Sequence, residues 1–197
     1  MLTSPDTAFL LTVFNGAGPD DLTGLAQLAT SRTLNAGDIY IPVGSASQKL
    51  AYIRKGLIRT WFLKKNEEEV TLMLRWEDQL VASLDSIFYR QPSRFTYQAL
   101  EETTLVEIDY EQAEALITPN PRLAAIRDKL LMLMLGQAMG RIETFVLLSP
   151  EERYRRLLED KPGIVNRVAD KHLATLLGIT PVSLSRIRKR LAIARKH

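Results

Sequence analysis

The chain has 197 residues, 46% hydrophobic and 25% charged, enough for one large domain or two small ones around a buried core. It has no Cys, which excludes disulfides, thiolate zinc sites, Cys-held iron–sulfur clusters and Cys nucleophiles. The net charge of +3 is uneven: Ser149–His197 holds 12 Lys and Arg against 5 Asp and Glu, and the rest holds 14 against 18, so the basic C-terminal segment is read either as the face of a polyanion binder or as a solvated surface.

The opening MLTSPDTAFLLTVF lacks a basic n-region and carries Asp6, so it reads as a mature start rather than a signal peptide. Pro19-Asp20-Asp21 is a helix start before Leu22, Leu25, Leu28 and Ala29, which share one face. From Ser31 the pattern changes to short β-like runs. Gly37-Asp38 turns between Arg32–Leu34 and Ile39–Ile41. Lys55-Gly56 joins Leu50–Arg54 to Leu57–Leu63 in a hairpin-like signal, and Lys64–Glu67 leads into Val70–Leu74. Tyr97–Leu100 and Leu105–Ile108 follow. Seven or so strands at this spacing predict a barrel or sandwich, not a parallel βαβ sheet. The charged Lys64-Lys65 and Glu67–Glu69 runs read as a solvated hairpin tip, and Trp61, Phe62, Trp76, Tyr89, Phe95 and Tyr97 as packing rather than ligand stacking.

Thr118-Pro119-Asn120-Pro121 marks a boundary, and Arg122–Leu148 then runs without Pro. Leu123, Ile126, Leu130, Leu133, Gln137, Gly140, Thr144 and Leu147 form a helical stripe, while Leu131, Met132, Met134, Leu135 and Met139 lie off it. A helix apolar on more than one face needs cover on more than one side. One side can pack on the barrel; the other suits the same helix of a second chain, or else the helix is simply buried in a monomer. The longest wholly apolar run, Leu130–Leu135, falls short of the ~18 residues of a membrane span, so a soluble cytoplasmic protein with no membrane partner is expected.

Ser149-Pro150-Glu151-Glu152 is a capping box with Pro at the first helical position. Its helix carries Tyr154, Leu157 and Leu158, stops near Pro162-Gly163, and is followed by the short segment Ile164–Ala169. The next region has the three requirements of a helix-turn-helix. Ala174 is the small residue where two helices cross. Gly178, four residues on, takes the φ > 0 turn that glycine adopts cheaply. Leu184, six further, returns to the core beside Leu173, Leu177, Ile179 and Ile187. Thr180 is a natural N-cap and Pro181 a natural N1. Leu184, Ile187 and Leu191 make the inward stripe. Val182, Ser185, Arg186 and Lys189 make an outward one suited to a DNA groove, with Arg188 and Arg190 flanking it toward phosphates. A basic helical hairpin without a ligand is the bland alternative.

At these residues the chain resembles the Crp–Fnr family of bacterial transcription regulators over nearly its whole length. LNAGDIYIPVG and AYIRKGLIRTWF resemble turns of that family's cyclic-nucleotide-binding barrel. LSPEERYRRLLEDKPGIVNRV and KHLATLLGITPVSLSRIRKRL resemble its DNA-binding domain. The resemblance implies an α+β protein: an effector barrel of the jelly-roll, cyclic-nucleotide-binding type over residues 1–120, a dimerisation helix over 121–148, and a winged helix-turn-helix over 149–197. It also exposes departures. Where the family's cAMP binders carry Gly-Glu and then Arg-Ser, this chain has Ala82-Ser83 and Ser93-Arg94. The carboxylate for the ribose is absent, and a one-residue displacement in a strand reverses a side chain's face. The expectation is a ligand pocket around Ala82, Ser83, Ser93 and Arg94 that does not bind cAMP in the family mode.

Iron–sulfur sensing fails for want of Cys. The only His residues, His172 and His197, lie in the DNA-binding zone, which leaves no haem ligand of the usual kind in the barrel, and His197 is expected to be disordered. A cupin-type enzyme would need His in the barrel, so no catalytic role, metal or cofactor is expected. On the reading helix the resemblance assigns base readout to Arg186, bidentate to guanine. Val182 stands where relatives carry Glu and cannot accept from cytosine. Thr180, Ser183 and Ser185 are placed to bond phosphates or bases. The expected function is a homodimeric regulator of transcription on double-stranded DNA, with RNA polymerase and an unidentified small ligand as further candidate partners. A ligand sensor whose basic domain does not bind DNA specifically is the alternative.

Overall fold

The computed structural model describes residues 8–194; the readings of the first residues and of His197 lie outside them. The helices are α1 (Ala8–Val13), α2 (Pro19–Leu28), α3 (Leu84–Phe88), α4 (Tyr110–Ile117), α5 (Pro121–Leu147), α6 (Pro150–Asp160), α7 (Asp170–Leu176) and α8 (Pro181–Ala194). The strands are β1 (Thr30–Leu34), β2 (Ile39–Ile41), β3 (Lys49–Lys55), β4 (Ile58–Leu63), β5 (Glu69–Arg75), β6 (Leu80–Ala82), β7 (Thr96–Ala99) and β8 (Thr103–Asp109). Two compact units result. The first takes the chain up to Thr60 with Leu74–Gly136; the second takes Trp61–Met73 with the residues from Gln137 onward.

The strands form two four-stranded sheets, ordered β1-β8-β3-β6 and β2-β7-β4-β5. β8 is the spine of the first, antiparallel both to β1 (Arg32 opposite Leu105) and to β3 (Tyr52 opposite Val106). Alternation along β3 explains why its middle, residues 50–53, reads as continuously apolar. Ala51 and Ile53 join Leu34, Ile41, Ile58 and Leu105 in the core of the barrel. Tyr52, with Val106 and Ile108 of β8, faces the other way, onto a second core with Phe9, Leu22, Leu25, Ile117 and Leu123. A strand covered on both faces has no polar side to show.

Gly56 opens the β3–β4 turn at φ 107°, and a Cβ there would come within 2.6 Å of the Thr103 Cα and 2.7 Å of the Glu102 carbonyl. Three elements in this region were not legible as periodic runs. The three-residue β6 is too short to alternate, and α3 and α4 fall where only strands and turns were expected. α4 has a local cause: Asp109 ends β8 and caps the helix, accepting from Gln112 N at 3.2 Å, and Ala113 and Ile117 bury one face.

α5 runs unbroken for 27 residues, and Leu123 is its one fully buried side chain. By length and composition it meets the measure of a membrane-crossing helix, with a mean hydropathy of 1.4 over its best window. The uncharged stretch lies between Lys129 and Arg141 and spans only ~16 Å as a helix, about half of a ~30 Å hydrocarbon core. Beyond α5 the described residues form helices and one 3-10 turn, Ile164–Asn166, and no strand. The wing expected beside the helix-turn-helix is therefore not built from strands there. Gly163, at φ 82°, leads straight into that 3-10 turn, and Ile164 and Val168 are buried.

Candidate nucleic-acid interface

The helix-turn-helix is assembled within the second unit. Leu173, Ala174, Leu176 and Leu177 of the α7 region and Leu184 and Ile187 of α8 are all buried, together with Tyr154 of α6. The turn is a Schellman motif. Gly178 takes φ 69°, its N–H donates to the Thr175 carbonyl at 3.1 Å, and the Ile179 N–H reaches back to Ala174 at 2.9 Å. Thr180 then caps α8, its Oγ1 accepting from Ser183 N at 3.2 Å and lying 3.0 Å from Ser183 Oγ. The Thr180 hydroxyl is thus engaged in starting the helix.

α7 is further fixed by the hairpin residues of the same unit. Thr71 N donates to Thr175 Oγ1 at 3.1 Å, and Arg141 Nη2 donates to the carbonyls of Leu72 (2.8 Å) and Leu176 (3.3 Å). Opposite this buried side, Pro181, Val182, Ser185, Arg186, Lys189 and Arg190 are exposed, and Ser183 is half-buried. Val182 is 62% exposed. Arg186 and Lys189 form no ion pair among the described residues. Together with Ser183 and Arg190 they border a broad open trough whose far wall is Ser149–Glu152.

Two flanking cations separate here. Arg190 pairs with Glu151 at 2.9 Å and stays mostly exposed. Arg188, expected to flank the reading face toward phosphates, is engaged within the protein: Nη1 meets Asp170 Oδ1 at 2.6 Å and Nε donates to the Tyr154 hydroxyl at 3.1 Å. It ties α8 to α7 and α6. The reason is position: Arg188 follows Ile187, one step from the inward stripe, so its stem lies against the core edge.

The expected ligand pocket of the barrel is brought together but closed on itself. Ser83 caps α3, accepting from Ser86 N at 3.4 Å, with the two hydroxyls 3.1 Å apart. Ser93 Oγ donates to the Phe95 carbonyl at 2.8 Å. Ala82 ends β6, paired with Leu50. Arg94 grips Asp85 three ways: backbone N to Oδ2 at 3.0 Å, Nε to Oδ1 at 3.0 Å and Nη2 to Oδ1 at 2.9 Å. The Arg94 side chain's hydrogen bonds are the main cause holding the nearly buried Asp85 carboxyl below its ordinary pKa, against desolvation. Beside it, burial and the neighbouring Asp85 charge push the Tyr97 hydroxyl up to about 12. Asp85 escaped the sequence reading; its only sequence signal is its place in the first turn of a Ser-capped helix.

No family model and no curated protein sequence matches the chain. Solved structures do. A Crp/Fnr-family putative transcriptional regulator from Eubacterium rectale superposes with a TM-score of 0.69, covering 92% of this chain and 87% of its own at 17% identity. The architecture is the Crp–Fnr fold. The same fold relates the chain to the c-di-GMP-responsive global regulator CLP of Xanthomonas campestris (TM-score 0.69, 17% identity, 90% and 93% covered). FixK2 of Bradyrhizobium japonicum superposes at 0.73, with 12% identity and 84% and 85% covered. At such identities the Crp–Fnr likeness is one of backbone, and the side chains of each site speak for themselves.

Proposed function

We propose that this chain is a transcription regulator that binds double-stranded DNA sequence-specifically as a homodimer, and that it is not an enzyme. The observation that carries this reading is α8: one face locks Leu184 and Ile187 into the helix-turn-helix core while the other offers Val182, Ser185, Arg186 and Lys189 to solvent on a basic surface. Arg186 is the base reader, forked to guanine in the major groove, and Val182 meets a thymine methyl. Ser183, Ser185, Lys189 and Arg190 lie at the helix where phosphates would pass. The regulators that share the fold support the same reading.

Dimerisation is assigned to α5. Met132, Leu135, Met139, Ile142 and Val146 are exposed and follow a 3-4-3-4 spacing, the a/d seam of a two-stranded coiled coil. The barrel pocket is read as unable to take cAMP in the family mode, because the Arg94 guanidinium is already held by Asp85 and its serines by local partners. Selection of bound fragments from a random DNA pool tests the reading. Enrichment of a near-palindrome with half-sites about one helical turn, ~34 Å, apart is expected; recovery of no common sequence refutes specific readout.

A further inference from the structure

Away from the reading helix, the second unit holds a recess of about 290 Å³ walled by the C-terminal turns of α5, by α6 and by the end of α7. Its lining carries three guanidinium groups, of Arg141, Arg153 and Arg156, against one carboxylate, of Asp160. Arg156 already meets that carboxylate, Nε to Oδ1 at 3.2 Å. Arg141 and Arg153 stack on the same Phe145 ring, their guanidinium carbons 5.1 and 4.6 Å from its centroid. Two cations on one ring repel each other, and each is attracted to the ring's face only weakly. Arg141 is steered by its bonds to the Leu72 and Leu176 carbonyls. Arg153 makes no ion pair among the described residues, and its Nε is buried with no hydrogen-bond partner. A guanidinium without an ion pair, in a recess lined by three cations and one carboxylate, calls for an anion.

We propose that this recess binds a small dianion of the phosphate class, inorganic phosphate or a compact phosphomonoester. Arg153 supplies charge-assisted hydrogen bonds and Arg141 a second positive charge. Phe145 forms an apolar floor that positions both forks. The volume is close to the ~300 Å³ at which small-molecule sites begin, so a phosphate with a few attached carbons fills it. The site is independent of the proposed DNA contacts, since none of the reading-face residues lines it.

Calorimetry and thermal unfolding of the whole chain with inorganic phosphate, against chloride at matched ionic strength and without DNA, test the proposal. Saturable binding with a raised melting temperature is expected. Arg153→Gln should weaken it by about tenfold or more. Arg94→Gln, in the barrel, should leave it unchanged, and Arg153→Lys should retain part of it. Because Arg153 also packs on Phe145, circular dichroism of each variant checks folding. Arg156→Gln, on the rim, provides a second reading: it releases Asp160 into the recess and should lower affinity several-fold. Absence of saturation in the unaltered chain, or equal affinity in folded Arg153→Gln, overturns the proposal. So does a result in which Arg153→Gln weakens DNA binding alone, since the group would then be a contact to backbone phosphate.

Discussion

Two arginines two positions apart on α8 differ in what lies across from them. Arg186 is exposed and Arg188 is clamped between Asp170 and Tyr154. Arg186→Ala should leave the melting temperature unchanged while flattening the preference among operator sequences, a loss of ~1–3 kcal/mol of discrimination at one base pair. Competition binding with single-base operator variants measures it, and undiminished preference removes Arg186 from base readout. Arg188→Ala should do the reverse, destabilising the domain by about 1 kcal/mol, discounted because the pair is partly open to solvent. Asp85 and Arg94 make the corresponding case in the barrel. The folded Asp85 pKa lies below its unfolded value, so this group's stabilisation is complete above about pH 4 and fades as pH falls through the depressed folded value. Asp85→Asn should cost about 1–2 kcal/mol at neutral pH, and the gap to the unaltered chain should close in denaturant titrations below about pH 4.

At the scale of elements, α5 and the α7–α8 pair differ in what completes them. The α7–α8 pair is finished locally: a Schellman turn at Gly178, a Thr180 cap and a shared buried core. α5 is not, because its a/d row of Met132, Leu135, Met139, Ile142 and Val146 is 49–74% exposed. An exposed apolar row of that length is unfavourable in water unless a partner covers it. Ile142→Glu should therefore shift the chain from dimer to monomer in sedimentation equilibrium without unfolding the barrel. A monomer for the unaltered chain would instead refute the coiled-coil assignment. The periodicity in the sequence showed a helix with two apolar sides. Which side meets the barrel followed only once Leu123 and Ile126 were seen packed in the core with Ile117 and Leu25.

For the whole molecule, charge is segregated: a surplus of seven positive charges from Ser149 onward against a deficit of four before it. DNA affinity should accordingly fall steeply with salt. A slope of log K against log salt near zero would contradict the phosphate contacts assigned to Lys189, Arg190 and the α8 serines. The barrel should give no binding heat with cAMP, since Arg94 would first have to leave Asp85. A micromolar constant would show that this ion pair opens readily.

Local patterns determined much of this protein. The capping box at Ser149–Glu152, the Ala174–Gly178–Leu184 register, the β-run spacing and the absence of Cys are all near-neighbour facts, and near-neighbour chemistry sets caps, turns and faces. Tertiary structure decided what local patterns could not. Asp85 and Arg94 are nine residues apart and meet only because β6, α3 and β7 bring them together. Arg188 became structural because Asp170 and Tyr154, 18 and 34 residues away, converge on it. The Arg141–Phe145–Arg153 stack exists only where α6 folds back against α5. Whether a cation is taken up inside the protein or presented to a partner depends on what lies across space from it, and sequence spacing does not carry that distance.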